Sequence, residues 1–235
     1  MKLLIKTFFI AALVSIATFT QAQKWGNGVK GSGNLATETR NVGSFDGIDL
    51  GGAWEVTLVK GTEGKIIMTI DDNLMEHMVT EVKGGTLHVK SNKNISKITK
   101  AEMTIYYQDI NSLDLSGACN VKANDAIKAN RLSLDASGAS KIIISAIDAN
   151  TIVADFSGAS SLELGGSTNA FNIDVSGATS VNAYSLRANE VRVDASGASS
   201  VKVSASEELA VDASGASSVK YRGNPSVSKD VSGAA

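Results

Sequence analysis

The chain has 235 residues, with 22 basic and 24 acidic side chains, 22 glycines, one proline and one cysteine. That length allows one elongated domain or two small ones, and a net charge of −2 offers no basic footprint for nucleic acid. A lone Cys119 excludes an internal disulfide, so packing and hydrogen bonds must hold the fold.

Residues 1–22 read as a secretory signal peptide, with Lys2 and Lys6 as the basic start, an apolar run from Thr7 to Phe19, and Thr20-Gln21-Ala22 as a small-x-small cleavage site. The run is short for a bilayer span, which disfavours an uncleaved anchor, and no cysteine follows it to accept a lipid. Its removal leaves 20 basic against 24 acidic residues and no transmembrane segment in the mature chain. The expected location is the periplasm, the outer membrane surface or the extracellular space.

Residues 26–110 read as an irregular β-rich start and cap. "GNGVKGSG" lacks the strand-glycine-helix context of a phosphate loop and reads as a flexible mature start. "WEVTLVKG", "KIIMTID", "TLHVK" and "EMTIYY" alternate or run apolar, as strands do. Asp72 to Met78 has room for one or two helical turns, and Gly84-Gly85 reads as a hairpin turn.

From residue 111 onward one unit recurs. Its origin is the glycine of Ser-Gly-Ala, at Gly117, Gly138, Gly158, Gly177, Gly197, Gly215 and Gly233, a period of 18–21 residues. "IDLGGAWEV" is a distant copy with Gly52 at the origin. Three residues before each origin stands an aspartate: Asp49, Asp114, Asp135, Asp155, Asp174, Asp194, Asp212 and Asp230. Apolar residues share one parity on each side, as Val193, Ala195, Val201 and Val203 do, which gives strands with one buried face. All length variation falls between 124–129, 145–149, 165–168, 184–188, 204–206 and 222–224, which reads as one tolerant corner. Asn130, Asn150, Asn169 and Asn189 follow that corner in four consecutive copies, as turn residues able to stack into an amide ladder.

Copies of this kind pile into a column with layers about 4.8 Å apart. The expected architecture is an all-β, single-stranded, right-handed parallel β-helix in one domain over residues 23–235, with regular coils from 111 to 235. Gly117, Gly138, Gly158, Gly177, Gly197 and Gly215 would form one file. Lys229, in a slot that is otherwise aliphatic, and Pro225 suit a terminal coil.

"RNVGSF" at Arg40 to Phe45, "IDLGGAWEVTLVKG", "EVKGGTLHVKS" and the recurring "DxSGAS" coils occur in the order that resembles the bacterial family called putative auto-transporter adhesin, head GIN domain. The resemblance covers roughly Gly31 to Ala235. It implies an exported β-helical protein without catalytic residues or an established activity. One departure is that the end, "DVSGAA", lacks the aromatic girdles and longer strands of an outer-membrane barrel.

The aspartate file, taken at Asp135, Asp155, Asp174 and Asp194, is the one metal candidate. One carboxylate per layer supplies few ligands for calcium, and the competing reading has each aspartate accepting local backbone N–H groups. Glycan cleavage needs two carboxylates, or a base and a cation, converging on a cleft, and no coil breaks the pattern to supply them. His77 and His88 lack metal-ligand spacing and read as ordinary histidines. Cys119 stands in a slot that most copies fill with serine or threonine, and Tyr106 and Tyr107 face opposite ways on a strand, one of them into the core. The serine rows around Ser196 and Ser200 could form a hydroxyl array of the ice-binding kind, but they are uneven and lack the threonine methyl.

The sequence therefore points to a non-enzymatic binding or adhesin-like envelope protein without a cofactor, its partner a glycan or an envelope protein. A structural scaffold and a polysaccharide-active enzyme are the alternatives. Tyr184, Arg187, Asn124 and Asp125, at the tolerant corner, are the candidate binding residues.

Overall fold

The computed structural model describes residues 28–62 and 64–234; the signal-peptide reading lies outside these residues. Every Ser-Gly-Ala copy forms one coil of a β-solenoid, and each coil pairs in parallel with the next. The glycines stand in one file, because Ala118, Ala139, Ala159, Ala178, Ala198, Ala216 and Ala234 each donate their N–H to the origin glycine one layer below, at 2.7–2.8 Å. Glycine is required there. Gly158 has φ +78, and a Cβ on it would stand 2.4 Å from the Gly138 carbonyl oxygen.

Each coil has three inward faces. In one layer Ser140, Ile142 and Ile144 are buried on the first, Ile147 and Ala149 on the second, and Ile152, Ala154 and Phe156 on the third. Inward parity slips at 145–146, at 150–151 and at the glycine corner, so the backbone turns three times per coil. Segments such as 145–149, expected as a loop, are therefore a corner followed by a short strand face. The pairing register shifts between Ile144 and Ile147, between Glu163 and Gly165, and between Ala183 and Arg187, where chain length varies. A corner can absorb an extra residue as a bulge, whereas a face of fixed parity cannot.

Inside the column like residues stack on like. Val56, Val121, Ile142, Leu162, Val181 and Val201 form one such file, each at most 3% exposed. Burial of each aliphatic side chain contributes about 1.5–3 kcal/mol relative to exposure.

The cap is built differently. Gly47–Gly52 and Glu55–Lys60 form the first coil and pair in parallel with Ser112–Gly117 and Asn120–Ala123. Their other edges are taken by later residues, Thr86–Ser91 and Ala101–Tyr107, also in parallel. The chain thus leaves the column after its first coil, builds the layer beneath it, and returns to continue upward. Antiparallel strands then close the end: Met78–Lys83 on Thr86–Ser91, and Lys65–Asp71 followed by Leu35–Asn41 on Ala101–Tyr107. Gly84 and Gly85 make the two-residue hairpin, both at positive φ. The helix is a single turn, Asp72–Met75, with Leu74 and Met75 buried.

Two charged groups pin this cap. Arg40 donates from Nη1 to the Met78 carbonyl and from Nη2 to the Met75 carbonyl. Asp71 is wholly inaccessible and accepts N–H bonds from Gly33 and Thr99, each at 2.8 Å. Burial pushes its carboxyl up, but hydrogen bonds from Thr99, Gly33 and its own backbone outweigh that and hold it below the usual carboxylate range. Gly31-Ser32-Gly33, expected to be flexible, wraps this carboxylate. Ser32 also donates its N–H to Asn73 Oδ1 and its hydroxyl to Asp72 Oδ1.

Candidate functional site

The second face and the corners beside it carry a groove of about 830 Å³. Register sets its composition. Strand pairing puts Lys128, Asp148, Ser167, Arg187, Ser204 and Arg222 opposite one another in six successive layers, as an outward file along the column. Layers about 4.8 Å apart hold Arg187 and Arg222 roughly 10 Å from each other, with Ser204 between them. Lys128 Nζ lies 3.7 Å from the Asp148 carboxylate, so the acid at this end of the groove is paired. Among the described residues neither Arg187 nor Arg222 makes an ion pair.

Arg222 is held in place: its guanidinium carbon sits 4.0 Å from the centroid of the Tyr184 ring. The Tyr184 carbonyl in turn accepts the Ser204 hydroxyl at 2.9 Å. The opposite wall is the asparagine file. Asn189 Nδ2 donates to Asn169 Oδ1 at 3.0 Å, and Ser206 Oγ lies 3.1 Å from Asn189 Oδ1. Asn150 and Asn224 line the same wall, and Asn130 lines a separate, smaller groove with Asp46 and Lys128. Between the walls the floor is largely backbone, at Ala149, Ala188 and Ala205, whose methyls turn into the core, and at Gly223.

Of the four candidate binding residues, Arg187 lines this groove and Tyr184 supports it. Asn124 and Asp125 lie three layers away on the same corner, where Asp125 Oδ2 accepts the Lys60 N–H at 2.9 Å. Arg222 and Asn224 escaped sequence reasoning. Each lies beyond corners of unequal length, so only pairing through those corners brings Arg222 into the file of Arg187.

The aspartates also run in register, from Asp49 through Asp114, Asp135, Asp155, Asp174, Asp194 and Asp212 to Asp230, on the third face. All are at least partly exposed. His88 occupies the next layer below and its Nδ1 lies 2.7 Å from Asp49 Oδ2. Ser133 donates its hydroxyl to Asp135 at 3.1 Å. Among the described residues no backbone N–H caps these carboxylates, so the expectation of local caps fails: on a continuous strand the nearby N–H groups are committed to the neighbouring layers. Burial and then the like charges of Asp49 and Asp135 push Asp114 up; burial and then Asp194 and Asp155 do the same to Asp174. Asp135, Asp155, Asp174 and Asp194 thus contribute one carboxylate per layer, and among the described residues no group of three or more histidine, cysteine, aspartate or glutamate side chains is arranged to hold a metal ion.

Cys119 is fully buried, and desolvation pushes its thiol up to about 11 against a hydrogen bond from Trp54. Such a thiol is a poor nucleophile at neutral pH. Tyr107 is core, whereas Tyr106 is partly exposed with Lys65 Nζ 5.1 Å from its ring centroid. His77 lies 3.8 Å from Glu76, away from the groove.

No helix among the described residues is long and apolar enough to cross a membrane. None of the curated proteins matches the chain. Among solved structures, a "putative adhesin" from Bacteroides fragilis is similar at 23% identity and a TM-score of 0.81, covering 87% of this chain and 95% of that one. A "putative lipid binding protein" from Parabacteroides distasonis is similar at 21% identity and a TM-score of 0.71, covering 88% and 96%. A "putative adhesin" from Parabacteroides merdae follows at 18% and 0.69, also covering 88% and 96%. These likenesses show a shared fold. The model of one family matches residues 44–225, and the chain belongs to that family, the putative auto-transporter adhesin, head GIN domain.

Proposed function

We propose that the protein is an exported, non-enzymatic binding component of the cell envelope, and that the second-face groove is where it meets its ligand. The observation that carries this reading is the pair of arginines in one file, without an ion pair among the described residues, facing a wall of hydrogen-bonded asparagines. Planar guanidinium and amide groups over a floor of small residues suit hydroxyl-rich ligands, which exchange water for directional hydrogen bonds. The naming of relatives as adhesins supports the same reading.

Catalysis fits the groove poorly. Its one carboxylate, Asp148, is paired with Lys128, whereas glycoside hydrolysis needs two carboxylates facing each other across the bond. The name of the Parabacteroides distasonis relative raises a lipid as a second ligand class. Amide and hydroxyl walls favour a hydrated sugar over an acyl chain, which needs apolar lining.

The test is binding of the protein to an array of glycans, beside a Ser167→Trp variant. Ser167 is half-exposed in the outward file, so an indole there fills the groove and leaves the core alone. Binding by the parent chain that the variant loses supports the reading. Equal binding by both, or none by the parent, overturns it.

A further inference from the structure

We infer that the groove selects an extended acidic glycan, one bearing carboxylates along its chain, lying parallel to the axis of the column. The inference rests on the reading of the groove as the ligand site and names its ligand class.

Charge comes first. The chain as a whole is acidic, and the aspartate file makes the third face strongly so. An anionic chain is repelled there. In the groove the balance reverses, because Asp148 is matched by Lys128 and the guanidinium groups of Arg187 and Arg222 lack counter-charges among the described residues. An unpaired guanidinium presents a fork of N–H donors that fits a carboxylate with two parallel hydrogen bonds.

Spacing comes second. Each layer rises about 4.8 Å, close to the length of one sugar unit in an extended chain. Arg187 and Arg222 are two layers apart with Ser204 between them, so they meet carboxylates on every second sugar, and the Ser204 hydroxyl faces the sugar in between. The asparagine file runs at the same pitch on the other wall, offering amide groups to the hydroxyls of successive sugars.

Preorganisation comes third. Arg222 stacks on Tyr184, and the Asn169–Asn189–Ser206 chain fixes the opposing amides before any ligand arrives. Little side-chain freedom is then lost on binding.

The experiment measures affinity by calorimetry for a hexamer of galacturonate, for a neutral glucose hexamer of the same linear form, and for anionic phospholipid vesicles. Arg187→Ala and Arg222→Ala are measured beside the parent chain, with Arg131→Ala, which lies outside this groove, as the control for general charge. Both target arginines are exposed, and circular dichroism checks that the variants keep their fold. Tight binding of the acidic hexamer is expected, with about a tenfold to hundredfold loss in each groove variant and little change in the control. Equal affinity for the neutral hexamer, sensitive to Ser167→Trp, overturns the acidic selection but leaves the groove as the ligand site. Binding only to vesicles, or losses as large in Arg131→Ala, overturns the inference, and binding untouched by Ser167→Trp overturns the groove reading with it.

Discussion

The regular column and the cap solve the same problem, the burial of a sheet edge, by opposite means. In the column every layer is both template and partner for the next, so one small vocabulary of glycine, serine, aspartate and aliphatic residues serves throughout. In the cap each contact is made once. Arg40 reaches carbonyls nearly forty positions away, and Asp71 receives N–H bonds from both sides of the chain. The difference teaches that repetition spreads one constraint over many copies, whereas the cap concentrates its order in a few buried polar groups.

The sharpest way to break the column is at its glycine file. Gly158→Ala should cost about 4 kcal/mol in urea unfolding, because the methyl meets a carbonyl at a left-handed backbone position. Gly33→Ala in the cap, at φ +92 with nothing within 4 Å of the added carbon, should cost only about 1 kcal/mol. Equal losses at the two sites would mean that backbone conformation, and not layer stacking, demands the glycines.

Asp71→Ala should cost about 3 kcal/mol, since two buried N–H groups lose their acceptor. The damage should be local. Hydrogen exchange is expected to quicken in Leu35–Asn41 and to stay slow in Ser180–Ala195, and uniform loosening would contradict a division between cap and column.

The two regions should also respond to pH with opposite signs. Asp71 sits below its ordinary value, so its contribution is present above that value and is lost as pH falls through the folded one. Asp114 and Asp174 sit above theirs, so their stabilising contribution is complete below the unfolded value and is lost as pH rises through the folded one. Around Asp174 the groups on the same face are Asp155, Asp194 and Arg192; around Asp114 they are Asp49, which is paired to His88, and Asp135. The column should therefore weaken from about pH 4 upward. Asp174→Asn should stabilise the protein near pH 7 by less than about 1 kcal/mol, the residue being exposed and screened, and should flatten that slope. A loss of stability at pH 7 would show the file to be held by something other than mutual repulsion.

Cys119→Ser is expected to move stability only slightly, by about 0.5–1 kcal/mol, since Ser140, Ser160 and Ser199 fill the same buried slot in other coils. In the parent chain the thiol should resist thiol reagents at pH 8 until the protein unfolds. Rapid labelling of folded protein would contradict its burial.

What was legible in the sequence follows the same division. The glycine file, the aspartate register and the alternation around Val193 and Val201 could be read because each copy repeats them at fixed offsets. The second face could not. It is three residues long, follows a corner of varying length, and its first inward position changes from Ile127 and Ile147 through Gly166 to Leu186. That variation hid the file joining Arg187 to Arg222, and with it the groove. Within the cap, strands and the Gly84-Gly85 hairpin were visible, but the doubling back of residues 86–107 beneath 47–60 was not, because that layer lacks the Ser-Gly-Ala signature and has His88 where the other layers carry aspartate. Nothing in the sequence marks Asp71; its burial and the N–H groups of Gly33 and Thr99 that reach it from distant segments are what distinguish it.

The most direct test of the account is a crystal structure of the protein with a galacturonate hexamer. The expected result is a sugar chain running along the column in the second-face groove, with carboxylates on Arg187 and Arg222 and hydroxyls on Asn169 and Asn189. A sugar seated on another face, or lying across the layers without touching either arginine, would contradict it.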